Sequence, residues 1–329
     1  KWLSFSSTNT LTLTNVNTND YLDSRTYSGN HSRNEMSNGV LKVDDERSWT
    51  FLTSNILRLQ HSFGEHNLSG LVGQEWDERH TRLSHIEMYD QMIAGERNVG
   101  GFSKQGDKTN PAVIPTGAER ESGSFSVFSE VNYNYAGKYM ASASFRTDGS
   151  TNFGKDNRYG TFYSFSGSWL VSREAFMARQ DVVSNLKLRM SYGTSGKEAG
   201  MDYLNYTLYS TSNTTFDYYR DHPVYQSAYG ATINQLGNDQ LSWETAYNLN
   251  VGVDLGLLDN RISLSADWYK RRNSDLIMST TLPAANGVGR QYQNVGEMEN
   301  RGVELVLNTH TVKGEDFNWF TTLTFSYNN

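Results

Sequence analysis

The sequence predicts an all-β fold, an antiparallel transmembrane β-barrel, with about eleven strands between Trp2 and Tyr327. Three observations lead there. Apolar and polar residues alternate with a period of two in segment after segment. The connections between segments are alternately short and long, as periplasmic turns and extracellular loops are. The chain is also polar, only 36% hydrophobic over 329 residues, yet it carries 20 Tyr, 15 Phe and 7 Trp. Polar chains that remain disordered are usually poor in such rings. A barrel reconciles the two facts, because its strands alternate lipid-facing apolar residues with lumen-facing polar ones and place aromatics at both interfaces. No run approaches the roughly 20 consecutive apolar residues of a membrane helix.

In chain order, the first clear hairpin carries Leu57, Leu59 and Phe63 on one face, turns near Gly64 to His66, and returns through Leu68, Gly70 and Val72. The next places Phe125, Val127, Val131, Tyr133 and Tyr135 on one face, with Ser124, Ser126, Glu130, Asn132 and Asn134 on the other. Ala136, Gly137 and Lys138 then turn the chain into Tyr139, Ala141, Ala143 and Phe145, opposed by Ser142, Ser144 and Arg146. Segments 160–171 and 185–193 form a pair across the longer turn 172–184. Tyr247, Leu249, Val251, Val253 and Leu255 turn through Asp259 and Asn260 into Ile262, Leu264, Ala266 and Trp268. A last hairpin joins Val303, Leu305 and Leu307 to Trp319, Leu323, Phe325 and Tyr327. The lipid-facing set therefore includes Phe125, Val127, Val131, Tyr139, Phe145, Leu249, Val251 and Leu264. Long polar loops are expected at about 16–39, 86–121, 147–159, 194–240 and 270–299. A soluble sandwich or propeller is the competing architecture, but its loops should average about 2–6 residues.

The chain opens at Lys1 without an initiator Met or signal peptide and stops at Asn329 just after a strand pattern, so a piece of a longer protein is expected. A net charge of −7 without a basic run argues against a nucleic-acid surface. The absence of Cys removes disulfides, iron–sulfur clusters and thiolate zinc sites. His80 and His85 have odd spacing and fall on opposite faces of a strand, so no metal site is indicated. Asp148, Ser150 and Asn152 occupy the first three ligand positions of a calcium loop, but Phe153 replaces the required Gly and Tyr159 the bidentate carboxylate. A polar turn in which Arg146 and Asp148 satisfy each other is the better account. Gly287 and Gly289 lack the third glycine and βαβ setting of a dinucleotide site. Ser184 and Lys187 have SxxK spacing but open a strand on which they do not face each other. Neither an enzyme nor a cofactor is indicated. Tyr218, Tyr219, Arg220 and Tyr225, in an aromatic stretch from Phe216 to Tyr225, and Arg290 and Tyr292 further on, are candidates to contact substrate or a lipoprotein. Alternatively these rings pack the loop on itself.

The most specific text runs from Phe145 to Trp169, containing Arg146, Asp148, Gly149, Ser150, Phe153, Gly154, Arg158, Gly160 and Phe162. With the strand and turn from Phe128 to Tyr139, it resembles a stretch of SusC-like TonB-dependent transporters; Thr151 departs from that pattern, where a second Ser is common. The similarity continues through Glu174 to Met177, Leu186 to Gly196, Leu241 to Glu244 (with Trp243), Asn294 to Gly296 and Asn300 to Glu304 (with Gly302). The resemblance implies structural roles for these motif residues, including Trp169, Trp243, Glu244, Gly302 and Glu304. It implies a barrel of about 22 strands, of which residues 1–329 supply part, with the plug, the TonB box and the final strands outside this chain. It implies the bacterial outer membrane, with its bilayer and lipopolysaccharide, energisation by TonB, a SusD-like surface lipoprotein as lid, and an oligosaccharide or peptide as cargo. A barrel anchor or adhesin that transports nothing is the alternative; an outer-membrane hydrolase would need a Ser or His constellation that is not found.

Overall fold

The computed structural model describes residues 2–30, 38–105, 116–210, 232–283, 285 and 287–329. Its strands are β1 (Leu3–Leu22), β2 (Val40–Phe63), β3 (His66–Gln91), β4 (Phe102–Gln105), β5 (Thr116–Tyr135), β6 (Tyr139–Ser150) and β7 (Tyr159–Leu170). They continue with β8 (Val183–Lys197), β9 (Leu208–Ser210), β10 (Thr232–Gln235), β11 (Glu244–Leu257), β12 (Ile262–Thr281), β13 (Arg290–Lys313) and β14 (Asn318–Asn328). One antiparallel sheet runs β1-β2-β3-β5-β6-β7-β8-β11-β12-β13-β14, with β4 added to β3; β9 and β10 form a separate small pair. The eleven strands on that path agree with the count read from the sequence. Every neighbour in the path is also a neighbour in sequence among the long strands, the meander expected of a barrel wall.

Three of the short turns contain residues at positive φ, Gly64, Ala136 and Gly137, and Leu258, Asp259 and Asn260, of which Gly, Asp and Asn tolerate it most readily. Between β7 and β8, two 3-10 turns, Val171–Arg173 and Ala175–Met177, fill the longer connection. These connections alternate with longer ones at the other end of the sheet. There the expected loops prove too long. β1 continues to Leu22, β3 to Gln91 and β8 to Lys197, and β5 starts at Thr116. The loop expected over 270–299 contracts to 282–289, because β12 reaches Thr281 and β13 begins at Arg290. Above the membrane both faces of a strand meet water, so the alternation that marks a strand in sequence disappears while the backbone ladder continues. A bulge at Ser274 and Asp275, with Asp275 at φ 58°, shifts the β12–β13 register within that extension.

Directly opposed residues share a face, so the pairings trace one apolar surface across the wall. Leu3 faces Leu59, Leu59 faces Gly70, Gly70 faces Val131, Val131 faces Ala143, Ala143 faces Phe165, and Phe165 faces Tyr192. Tyr192 in turn faces Leu249, and one row down Val251 lies opposite both Met190 and Trp268. All eight residues expected to face lipid lie on this surface. At the short-turn end its boundary is a run of rings, Phe63 stacked on His66 at 4.9 Å, His66 near Tyr135 at 4.8 Å, then Tyr139 and Trp169 at 6.2 Å. At the long-loop end Trp49 stacks on His80 at 5.9 Å, and Trp76 meets Phe51 edge-on at 6.1 Å. The interval from His66 to Trp76 matches the roughly 9–11 residues that a tilted membrane strand needs.

Two residues interrupt the pattern read from β5. Phe128 belongs to the polar face, where its ring lies against Gly73, and Ser129 belongs to the apolar one. A Cβ at position 73 would approach that ring to 2.5 Å, so the glycine makes room for the aromatic.

Candidate functional site

The lumenal face is polar and small. Ser142 pairs with Ser166 at 2.9 Å and Ser144 with Ser164 at 2.6 Å across β6 and β7. A concavity of about 550 Å³ on this face is lined by Asn132, Asn134, Ser168, Ser191 and Asn250 among others. Such a wall exchanges hydrogen bonds with water or a polar cargo without presenting an apolar trap.

Charges on this face neutralise one another locally. Arg146 on β6 donates through Nε to Asp148 Oδ1 at 2.6 Å and through Nη2 to Ser126 at 2.9 Å, and its guanidinium lies 5.2 Å from the centre of the Phe128 ring. Arg189 on β8 forks onto Asp254 at 2.8 and 3.0 Å and reaches Asp267 at 3.1 Å, joining β8, β11 and β12. Gly252 lies beneath it, where a Cβ would come within 2.9 Å of the guanidinium carbon. Glu304 lies opposite Asp267 on β13. Nothing in the sequence reading had singled out the Arg189 cluster. The available signal was a set of opposite charges at inward positions on neighbouring strands.

At the long-loop end several of the remaining motif residues converge on a small core. Phe153 is fully buried with Leu204, Leu241 and Ala199, and Trp243, Ile277 and Tyr292 pack around them. The Phe153 ring lies 5.1 Å from that of Trp243, whose indole N–H donates to the Arg158 carbonyl at 3.0 Å. Gly154 lies against the backbone of Asp239, and Gly160 lies under the Phe162 and Trp243 rings, so neither position has room for a side chain. Gly149 is covered in the same way by Tyr159, and Gly302 by Tyr269. Glu244 accepts the Ile277 amide at 2.8 Å. Asn294 holds Ser242 in both directions at 2.9 Å and caps the Asp275 carbonyl in the bulge. The motif is thus a clamp that fastens the segments 151–158, 198–207 and 236–243 onto the tops of β12 and β13.

A second lock sits at the opposite end. Glu174, in the turn between β7 and β8, accepts from Tyr139 at 2.6 Å, from the Trp169 indole at 3.0 Å and from Lys138 at 3.3 Å. The Tyr139 hydroxyl first, then the Trp169 indole, hold the Glu174 carboxyl below its usual range.

Of the candidate contact residues, Tyr218, Tyr219, Arg220 and Tyr225 lie outside the described residues. Arg290 is exposed at the start of β13, and Tyr292 packs against the Phe153 core with its carbonyl accepting from Asn238 at 2.8 Å. The structure therefore brings Tyr292 together with Phe153 and Trp243, not with Arg290.

A model of the TonB dependent receptor-like β-barrel family matches residues 2–329. The TonB-dependent receptor P3 of Formosa agariphila is 34% identical over 279 residues, 84% of this chain and 26% of that protein. The TonB-dependent receptor SusC of Bacteroides thetaiotaomicron is 33% identical over 205 residues, covering 62% of this chain and 20% of that protein. Among solved structures, the RagAB peptide transporter superposes with a TM-score of 0.82 at 26% identity, over 100% of this chain and 34% of that one. The chain spans about a quarter of the length of the P3 receptor. Relatives of this kind are outer-membrane transporters and not enzymes. The family model spans the meander, the apolar face and the clamp alike: the chain belongs to the TonB dependent receptor-like β-barrel family.

Proposed function

We propose that this chain is the wall and part of the extracellular rim of a SusC-type importer that admits an oligosaccharide or a peptide and is driven by TonB. A plug, a TonB box and further strands complete the protein outside residues 1–329, and no side chain here performs chemistry. A SusD-like lipoprotein closes the extracellular side and hands the cargo to the lumen. The observation that carries this reading is the superposition on the RagAB peptide transporter along the full chain. The rim geometry supports it, since the Phe153 clamp fixes both roots of the segment between β8 and β11, through Leu204 on one side and Leu241 on the other, at the long-loop end of the wall. That segment and the short 282–289 connection are the proposed lipoprotein contacts.

In the full-length transporter, deletion of residues 212–226 is expected to weaken lipoprotein retention and substrate uptake while the barrel still assembles. Pull-down of the lipoprotein, uptake of labelled substrate and heat-modifiable gel migration read the three quantities. Unchanged retention and uptake in a folded barrel would overturn the loop assignment.

A further inference from the structure

We propose that the outward side of the extracellular rim, where β5, β6 and β7 end, carries a binding site for a neutral saccharide, separate from the lumen. A concavity of about 510 Å³ opens there, within the roughly 300–1,000 Å³ of small-ligand sites. Its floor is low because Gly123 and Gly149, on the same face as Trp76 and Phe125, carry no side chain. Tyr159 lies over Gly149, and Tyr203 and Tyr206 complete the wall. The wall is held in place by its own hydrogen bonds. The Tyr203 hydroxyl accepts from the Glu121 amide at 2.7 Å and donates to the Glu121 carbonyl at 3.3 Å. Thr151 ties the 151–158 segment to β5, its amide donating to the Gly123 carbonyl at 3.0 Å and its hydroxyl accepting from the Gly123 amide at 2.9 Å.

Two polar side chains on this wall have no use in the clamp. Asn152 is only 8% exposed; its backbone amide donates to Ser150, but its carboxamide has no hydrogen-bond partner among the described residues. Arg158 gives its carbonyl to Trp243, while its Nε is buried without an acceptor and its guanidinium forms no ion pair among the described residues. Buried polar groups without partners are costly, so a ligand that pairs with both is favoured. Two carboxylates line the same concavity, Glu78 and Glu121, the second of them paired with His80 at 3.1 Å. A cation would meet the Arg158 guanidinium, an anion would meet the carboxylates, and a hydrocarbon would leave Asn152 and Arg158 unpaired. A hydroxyl suits every group, since it accepts from Arg158 and Asn152 and donates to Glu78. A pyranose carries hydroxyls around its edge and C–H groups on its faces, and those faces fit the rings of Trp76, Tyr159 and Tyr206. This goes beyond the import reading, because a saccharide held on the outward side is captured before it meets the lumen.

The test uses the full-length transporter in mild detergent, titrated calorimetrically with cellohexaose, laminarihexaose, xylohexaose and maltohexaose, with hexagalacturonate, and with O-polysaccharide released from lipopolysaccharide. Wild type is expected to bind at least one neutral hexaose, and hexagalacturonate at least about tenfold more weakly, since like charges are brought together. Asn152→Leu and Arg158→Met, which keep the side-chain size and remove the polar groups, should each weaken neutral binding about tenfold. Glu78→Gln, at an exposed position, should raise hexagalacturonate binding. Lys155→Gln, exposed on the same segment and outside the concavity, should bind as wild type does. Heat-modifiable migration establishes that each variant is folded. Binding of none of the neutral hexaoses, equal binding of hexagalacturonate, binding of the O-polysaccharide alone, or unchanged binding by the folded Asn152 and Arg158 variants would each overturn the proposal. Uptake is not measured, so a transporter that fails to import these sugars leaves the result standing; the wild-type and Glu78→Gln titrations decide even where a variant of the 151–158 segment fails to fold.

Discussion

In the full-length barrel, Val251→Arg is expected to lower stability by about 2–4 kcal/mol, the range for a cation on the lipid face near the midplane. Asn250→Arg should cost far less, although the two positions are adjacent. Val251 is 43% exposed on the apolar surface, flanked across the ladder by Met190 and Trp268. An arginine there has hydrocarbon on every side and no acceptor within its row. Asn250 faces the lumen in the Ser- and Asn-rich concavity, where water and the neighbouring Ser191 can solvate a guanidinium. Denaturant titration of refolding into lipid bilayers gives both values, and equal losses would refute the assignment of faces.

Residues 1–329 expressed alone should not form a closed barrel. The sheet ends at β1 and β14, and no strand among the described residues pairs with the far edge of either. In hydrocarbon each unpaired backbone group costs several kcal/mol, so two open edges along the membrane-crossing parts of β1 and β14 outweigh any gain from lipid contact. The expected product migrates on gels without heat modifiability, or aggregates. A stable, monomeric, heat-modifiable species would contradict the reading of this sheet as one arc of a larger wall.

The membrane-crossing hairpins were legible because each face meets a different solvent. In β5 and β6 the run from Phe125 to Arg146 sorts by parity alone, and the pairing of Val131 with Ala143 follows from the Ala136–Gly137 turn. Phe128 escaped that logic for a local reason, the space left by Gly73 on the neighbouring strand, and nothing in the structure explains Ser129 on the apolar face. The strand extensions were not legible. From Arg290 to Asn294 neither face is apolar, and only the β12 ladder reveals the strand. The rim core was invisible for another reason: Phe153, Leu204 and Leu241 sit in three polar stretches far apart in sequence, and periodicity carries no information about which loops meet. The motif from Arg146 to Gly160 marked the place but not the clamp that its residues build.

The central claim, that this sheet is a membrane wall with one face in lipid and the other in an aqueous lumen, is tested most directly by spin labels placed singly from Tyr247 to Leu255 in the full-length transporter. Collision with dissolved oxygen and with a water-soluble nickel chelate should alternate along β11. Positions 249, 251, 253 and 255 should favour oxygen, and positions 248, 250, 252 and 254 the chelate. Uniform accessibility along the strand, or the opposite phase, would contradict the account.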